Sequence, residues 1–197
     1  MRVIAGTARR LLLKAPPGKN TRPTSDITKE TLFNIINERL YQARFLDLFA
    51  GSGAIGIEAL SRGAREAVFV EKSAEALSCI SYNLKHTRLD RYATILKMEV
   101  IKAVKILSDN TDTDSAFDII FLDPPYNKGL EAECLQLLIH SRLVKESTLI
   151  IIEADKALNA ALFEDCWNII FKISIINIIK IKEYRNNKHI FLSRRQV

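Results

Sequence analysis

From Phe45 onward the chain alternates short apolar runs with helix-patterned stretches, and this alternation most limits what it can fold into. Runs at 45–50, 67–71, 94–98, 117–122 and 148–153 have the length of buried strands, and the stretches near 54–62, 74–86, 99–108 and 130–140 have helical spacing. Strands that each follow a helix pair in parallel, with the helices as crossovers. After Trp167 the pattern changes to two β-rich runs, 168–182 and 189–193, separated by the turn-like Tyr184-Arg-Asn-Asn187. An antiparallel hairpin is therefore expected to finish the sheet. Near the start, Val3-Ile4-Ala5 and Leu11-Leu12-Leu13 flank Gly6 and an Arg pair, as the arms of a small hairpin would. Ala15-Pro-Pro-Gly18 then interrupts regular structure. Thr24, Ser25 or Asp26 is placed to cap a helix carrying Ile27, Leu32, Phe33, Ile36 and Leu40.

At 197 residues the chain suits one domain with a small appendage, and 48% hydrophobic with 26% charged residues is ordinary globular composition. Charge is distributed unevenly. Residues 1–30 hold seven Lys/Arg against Asp26 and Glu30, and residues 180–197 hold six against Glu183. Each end is thus +5, and because the whole is +6 the body between them is −4. Basic ends around an acidic body suit a polyanion held by the ends over a site in the body, although solvated basic termini have the same composition. Cys79, Cys134 and Cys166 form no CxxC pair and read as reduced, packed thiols. His86, His140 and His189 show no metal-ligand spacing. No apolar run is long enough for a membrane span or a secretory signal, so a cytoplasmic location is expected.

The first stretch with chemical content is Leu46-Asp-Leu-Phe-Ala-Gly-Ser-Gly-Ala-Ile-Gly56, a strand that runs into G-x-G-x-x-G at Gly51, Gly53 and Gly56. Glycines there permit a tight turn and close backbone approach by a ligand, while the next helix starts with unpaired N–H groups. Twenty residues after Gly51, at the end of the next strand, Glu71 is placed to accept hydrogen bonds from ribose hydroxyls. Strand, loop, helix and acid together imply a cofactor bearing a nucleoside. They do not separate a nicotinamide from other adenosine cofactors.

Asp123-Pro-Pro-Tyr126 supplies that distinction. It follows the strand 117–122 directly, which in an open α/β sheet puts it at the carboxyl edge. An exocyclic amine on a nucleobase is a poor nucleophile, because its lone pair is delocalised into the ring. Acceptors aimed at its N–H bonds favour a pyramidal nitrogen and stabilise charge as a methyl group arrives. The Asp123 carboxylate and the Pro124 carbonyl can be those acceptors, Pro125 stiffens the segment, and Tyr126 offers a ring on which an extruded base stacks. A nicotinamide oxidoreductase would leave this tetrapeptide without a task, and an RNA-binding module without catalysis would not need it.

Asp123 to Tyr126 resembles the Asp/Asn-Pro-Pro-aromatic signature of amino-methyltransferases, and Asp47 to Gly56 is similar to the cofactor loop of class I methyltransferases. With Thr21-Arg-Pro-Thr24 and the run from Asp47 to Ala64, the chain resembles the RsmD family of small-subunit rRNA guanine-N2 methyltransferases. The resemblance implies a Rossmann-like α/β fold, with a seven-stranded, mostly parallel sheet whose last strand is antiparallel. It implies S-adenosylmethionine as methyl donor, held by Asp47, Ala50, Gly51, Ser52, Gly53, Gly56, Glu71, Lys72, Glu99 and Val100. Glu99 stands where many such enzymes place an Asp against the adenine amino group, and it reads equally as an ordinary acid at a helix start. Asp47 is a candidate for the methionine end, whereas Asp118 reads as structural. A basic hairpin at 1–24 is expected to hold RNA through Arg9, Arg10, Arg22 and Thr24, ahead of a methyltransferase domain at 25–197. The expected partner is ribosomal RNA in an assembling small subunit, and the expected state is monomeric. A DNA adenine-N6 methyltransferase is the alternative within the same chemistry.

Overall fold

In a computed structural model, residues 1–16, 26–110, 116–126, 129–159 and 176–194 are described. The chain divides into two compact units, Met1–Ala103 and Val104–Val197. In the first, helix α1 (Asp26–Ile35) and a short 3-10 turn precede β1 (Arg44–Asp47), α2 (Ala54–Ser61), β2 (Glu66–Glu71), α3 (Ala74–Thr87) and β3 (Ala93–Lys97). Helix α4 (Val100–Asp109) runs across the boundary. The second unit contains β4 (Phe117–Leu122), α5 (Leu130–Ile139), β5 (Val144–Asp155), β6 (Ile176–Glu183) and β7 (Asn187–Arg194).

All seven strands belong to a mixed seven-stranded sheet, ordered β3-β2-β1 in the first unit and β4-β5-β7-β6 in the second. The pairs β1–β2, β2–β3 and β4–β5 are parallel, while β5–β7 and β6–β7 are antiparallel. The Rossmann-like α/β class read from the sequence is therefore the fold, with its antiparallel finish. Parallel strands covered on both faces need unbroken apolar runs. Ala67 to Val70 and Ile119 to Leu122 provide them, and every one of these residues is buried.

Local chemistry sets the element ends. Ser73 caps α3 by accepting the Ala76 N–H, and Arg88 closes the helix in the left-handed region, at φ 59°. Strand β1 is shorter than its apolar run. Leu48 is buried but lies in a turn, beyond which the Ala50 N–H still donates to the Val70 carbonyl of β2. Strand β5 starts earlier than the run at 148. Val144 already pairs with Phe117, and a bulge follows in which the Thr148 hydroxyl donates to the Phe117 carbonyl and accepts the Lys145 N–H. Ile27 is 75% exposed and takes no part in the core that Leu32, Phe33, Ile36 and Leu40 enter. Segments 168–175 and 17–25 fall outside the described residues, and with them the candidate caps Thr24 and Ser25. Among the described residues no helix is long and apolar enough to cross a membrane.

The start of the chain is built into the first unit. Arg2 and Leu12 form an antiparallel bridge, extended by Val3 N–H to the Leu11 carbonyl and Leu13 N–H to the Met1 carbonyl. A Cβ on Gly6 would lie 1.7 Å from the Ser61 carbonyl oxygen, so only glycine lets this turn lie against the end of α2. The Thr7 N–H donates to that carbonyl and the Ala8 N–H to the Ser61 hydroxyl.

Candidate active site

In the first unit the glycines of the loop after β1 are needed for two different reasons. Gly51 and Gly53 have φ of 53° and 78°, a backbone region that costs residues with a Cβ. Gly56 needs space instead, since a Cβ there would fall 2.3 Å from Phe69 Cε1 on β2. A Cβ on Gly51 would meet nothing within 4 Å, so this backbone faces open space at the start of α2. A helix start with an accessible backbone suits the carboxylate end of a bound amino-acid moiety.

The acids around the loop hold its shape. Asp47 is buried, and its Oδ2 accepts the Gly56 N–H at 3.1 Å. Burial, opposed by that hydrogen bond and reinforced by the Glu71 charge, pushes its carboxyl up to about 7. The stability gained from that proton is complete below the ordinary carboxyl range and is lost as pH rises through about 7. Glu71 spends Oε1 on the Lys72 and Ser73 N–H groups, while Oε2 accepts the Gly51 N–H at 2.9 Å. A carboxylate oxygen accepts two hydrogen bonds, so Oε2 keeps a lone pair of the kind a ribose hydroxyl would use.

Glu99 stands just before α4, where its carbonyl accepts the Ala103 N–H, and its carboxylate pairs with Lys72 Nζ at 3.0 Å. Both side chains are about two-thirds exposed, so the pair is worth roughly 0–1 kcal/mol and yields readily to a ligand. Val100 and Ala50 are buried beside these residues in sequence, and the Ser52 carbonyl accepts a hydrogen bond from Asn83.

In the second unit Asp123-Pro-Pro-Tyr126 leaves the carboxyl end of β4, with Asp123 half-buried, Pro124 buried, and Pro125 and Tyr126 exposed. Leu122 pairs with Ile152, so Asp123 and Glu153 each follow the last residue paired between β4 and β5. Because β7 returns antiparallel, Glu153 pairs with His189 and Asp155 with Asn187, which puts the turn 184–187 at this same carboxyl edge. The sequence leaves open which end of the sheet Tyr184 and Arg185 occupy, and strand direction decides it.

A partly buried hydrogen-bond chain results, with the Glu153–His189 contact at its buried centre. Glu153 accepts from Asn187 Nδ2 and meets His189 Nε2 at 3.0 Å, and His189 Nδ1 lies 3.0 Å from the Tyr184 hydroxyl. Tyr126 joins it through a hydrogen bond with the Asn187 side chain. Burial first, then the charges of Glu153 and Asp123, hold the Tyr126 hydroxyl above its ordinary pKa, and burial with Glu153 pushes that of Tyr184 up to about 12. These hydroxyls stay protonated at any working pH and act as donors or stacking faces, not as bases. His189, which like His86 and His140 has no ligand spacing, thus has a place in a hydrogen-bond chain that no sequence spacing announces. Asp118 pairs with Lys145, and Cys134 is buried with its thiol pushed up to about 12.

Of the expected RNA contacts, Arg9 and Arg10 are exposed on the N-terminal turn, and Arg22 and Thr24 lie outside the described residues. A family model described as Conserved hypothetical protein 95 matches residues 1–184. The ribosomal RNA small subunit methyltransferase D of Haemophilus influenzae is 30% identical over 94% of both chains. The chain belongs to the RsmD family of rRNA methyltransferases. The Escherichia coli K12 enzyme of the same name is 32% identical over 79% of this chain and 75% of its own. A solved structure described as the putative methyltransferase yhhF from Escherichia coli matches with a TM-score of 0.79 at 26% identity, over 98% of this chain and 97% of its own. As in the family, S-adenosylmethionine is the methyl donor, and the open backbone at Gly51 with the spare lone pair of Glu71 fits such a cofactor.

For this RsmD-family chain, substitution tests the base-stacking role expected of Tyr126 separately from the chemical step. Tyr126→Ala is expected to raise the RNA concentration needed for half-maximal rate by the equivalent of about 1–3 kcal/mol, the scale of one base–aromatic stack. Tyr126→Phe keeps the ring and loses only the tie to Asn187, so a change of no more than about tenfold is expected. Steady-state methylation of an rRNA fragment checks both. Equal losses in the two variants would mean that the hydroxyl, not the ring, is what matters.

Proposed function

We propose that this enzyme transfers a methyl group from S-adenosylmethionine to the exocyclic N2 amine of a guanine in small-subunit ribosomal RNA. The observation that carries the reading is Asp123-Pro-Pro-Tyr126 at the carboxyl edge of β4, in a chain of the RsmD family. The loop from Asp47 to Gly56, with Glu71, Lys72, Glu99 and Val100, holds the cofactor, which when bound supplies an electrophilic methyl group on a sulfonium. Asp123 and the Pro124 carbonyl accept the two N–H groups of the amine, drawing its lone pair out of conjugation, and Tyr126 stacks against the extruded base. The amine attacks before it is deprotonated, and Asp123 or water then takes the proton. Guanine suits a carboxylate partner, since its Watson–Crick edge presents adjacent N–H donors. Digestion of small-subunit rRNA methylated in vitro should yield N2-methylguanosine. N6-methyladenosine from the RNA, or N6-methyl-2′-deoxyadenosine from a DNA substrate, would replace this reading with the adenine alternative.

Residues 1–24 act as the RNA-holding element of a monomer that works in the cytoplasm on a partly assembled subunit. Substituting Arg9, Arg10 and Arg22 together with Ala is expected to weaken RNA binding and to make log K against log salt shallower by about 2, three phosphate contacts at the single-strand coefficient. Cofactor affinity should stay the same. Filter binding at several salt concentrations measures this, and an unchanged slope would remove the segment from the RNA interface.

A further inference from the structure

Asn83, in the middle of α3, is fully buried, and nothing in the sequence marks it. Its side-chain amide makes three hydrogen bonds to backbone far away in the chain. Oδ1 accepts the Lys14 N–H at 2.8 Å, while Nδ2 donates to the Lys14 carbonyl and to the Ser52 carbonyl, each at 2.9 Å. An amide nitrogen has two donors, so both are used. The two bonds to Lys14 copy the exchange by which one strand residue pairs with another, so the side chain holds Lys14 as a neighbouring strand would.

The third bond reaches Ser52, between Gly51 and Gly53, at the centre of the cofactor loop. The other arm of the N-terminal pairing approaches the same residue. Met1 Sδ lies 4.0 Å from the Ser52 hydroxyl, and the Met1 carbonyl accepts the Leu13 N–H. Withdrawing the Ser52 carbonyl would strand a buried donor, and withdrawing Lys14 would strand a donor and an acceptor. One rigid amide therefore ties the backbone of the cofactor loop to that of the N-terminal segment, entirely within the first unit.

We infer that Asn83 is a positioning residue that links occupancy of the cofactor loop to the seating of residues 1–14. Cofactor binding that fixes the Ser52 carbonyl also fixes Lys14, and the segment then presents Arg9 and Arg10 in one arrangement. The consequence for RNA rests on the reading of that segment as the RNA-holding element. By linkage, cofactor and RNA then tighten each other's binding by the same factor.

The test uses the full chain, S-adenosylhomocysteine and a small-subunit rRNA fragment. Saturating S-adenosylhomocysteine is expected to slow hydrogen exchange at the Lys14 amide and to tighten RNA binding, each by about fivefold or more, the lower end of measured couplings. In Asn83→Ala, cofactor still binds and both effects shrink below about twofold, as expected when the coupling is lost. Should that variant fail to fold, Lys14→Pro removes the N–H that Asn83 accepts without touching the core, and RNA binding should lose its cofactor dependence there too. A Lys14 amide indifferent to S-adenosylhomocysteine in the unaltered protein overturns the link and leaves the RNA reading standing. Cofactor-dependent protection of Lys14, in a protein whose RNA affinity ignores Arg9 and Arg10, upholds the link and removes the RNA reading.

Discussion

Replacing Asp123 with Ala is expected to lower the single-turnover methylation rate by roughly 10²–10³-fold, the effect of removing one preorganised electrostatic contact from a transition state. The amine is nearly neutral in the resting complex and becomes cationic as the methyl arrives. A carboxylate facing it therefore gains attraction along the reaction path, and its loss falls on turnover while RNA binding changes little. Asp123→Asn retains an acceptor oxygen without the charge and should lie between the parent and the Ala variant. The fold should survive, because Asp123 lies beyond the end of β4 and is half-exposed, while the buried run from Ile119 to Leu122 that fixes its position is untouched. Rapid-quench methylation at saturating cofactor, with a circular-dichroism check of folding, measures this. A rate for Asp123→Ala within a few fold of the parent would sink the proposed chemistry.

What the sequence could and could not reveal follows from how far each signal reaches along the chain. The glycine loop, Glu71 and the tetrapeptide after β4 were readable because each is short-range: a strand end, a turn and the first residues of a helix lie next to one another in sequence. Helix α3 was readable for the same reason, since the helical spacing near 74–86 is set by neighbouring residues along one run. Strand ends were less so, since buried turn residues such as Leu48 are as apolar as strand residues, and a bulge such as the one before Thr148 has no fixed composition. The groups that organise the site from behind were not readable at all. Asn83 meets Lys14 across 69 residues, and Glu153 meets His189 across 36 through a register that exists only once β7 has turned back. Polar residues of this kind look like surface until the partner that satisfies them is known.

Glu58 is the strongest case, and Glu58→Ala should destabilise the protein by about 3–5 kcal/mol, the cost of removing one partner from a buried ion pair. It lies in the middle of α2 with its side chain fully buried, as is that of Lys29 on α1. Its Oε2 accepts the Ile4 N–H at 2.8 Å and lies 3.1 Å from Lys29 Nζ, while Oε1 accepts the Ala5 N–H at 3.0 Å and Arg62 Nε at 2.9 Å. Burial already lowers the Lys29 pKa, and the Glu58 charge is the largest influence holding it up. Without Glu58 the ammonium keeps the Arg2 carbonyl, at 2.6 Å, as its close hydrogen-bond partner among the described residues, and the Ile4 and Ala5 N–H groups lose their acceptor. Lys29→Met should cost less, since Glu58 retains Arg62 and both backbone donors. The double variant Glu58→Ala, Lys29→Met should recover part of the loss by removing the stranded charge, but not all of it, because the two N–H groups stay unpaired. Urea unfolding of the four proteins completes the cycle, and a Glu58→Ala value within about 1 kcal/mol of the parent, well below the cost expected for a stranded buried charge, would rule the cluster out as the anchor of the N-terminal segment. The same substitution should loosen the turn that carries Arg9 and Arg10, so RNA affinity ought to fall under conditions where the rest of the protein is still folded.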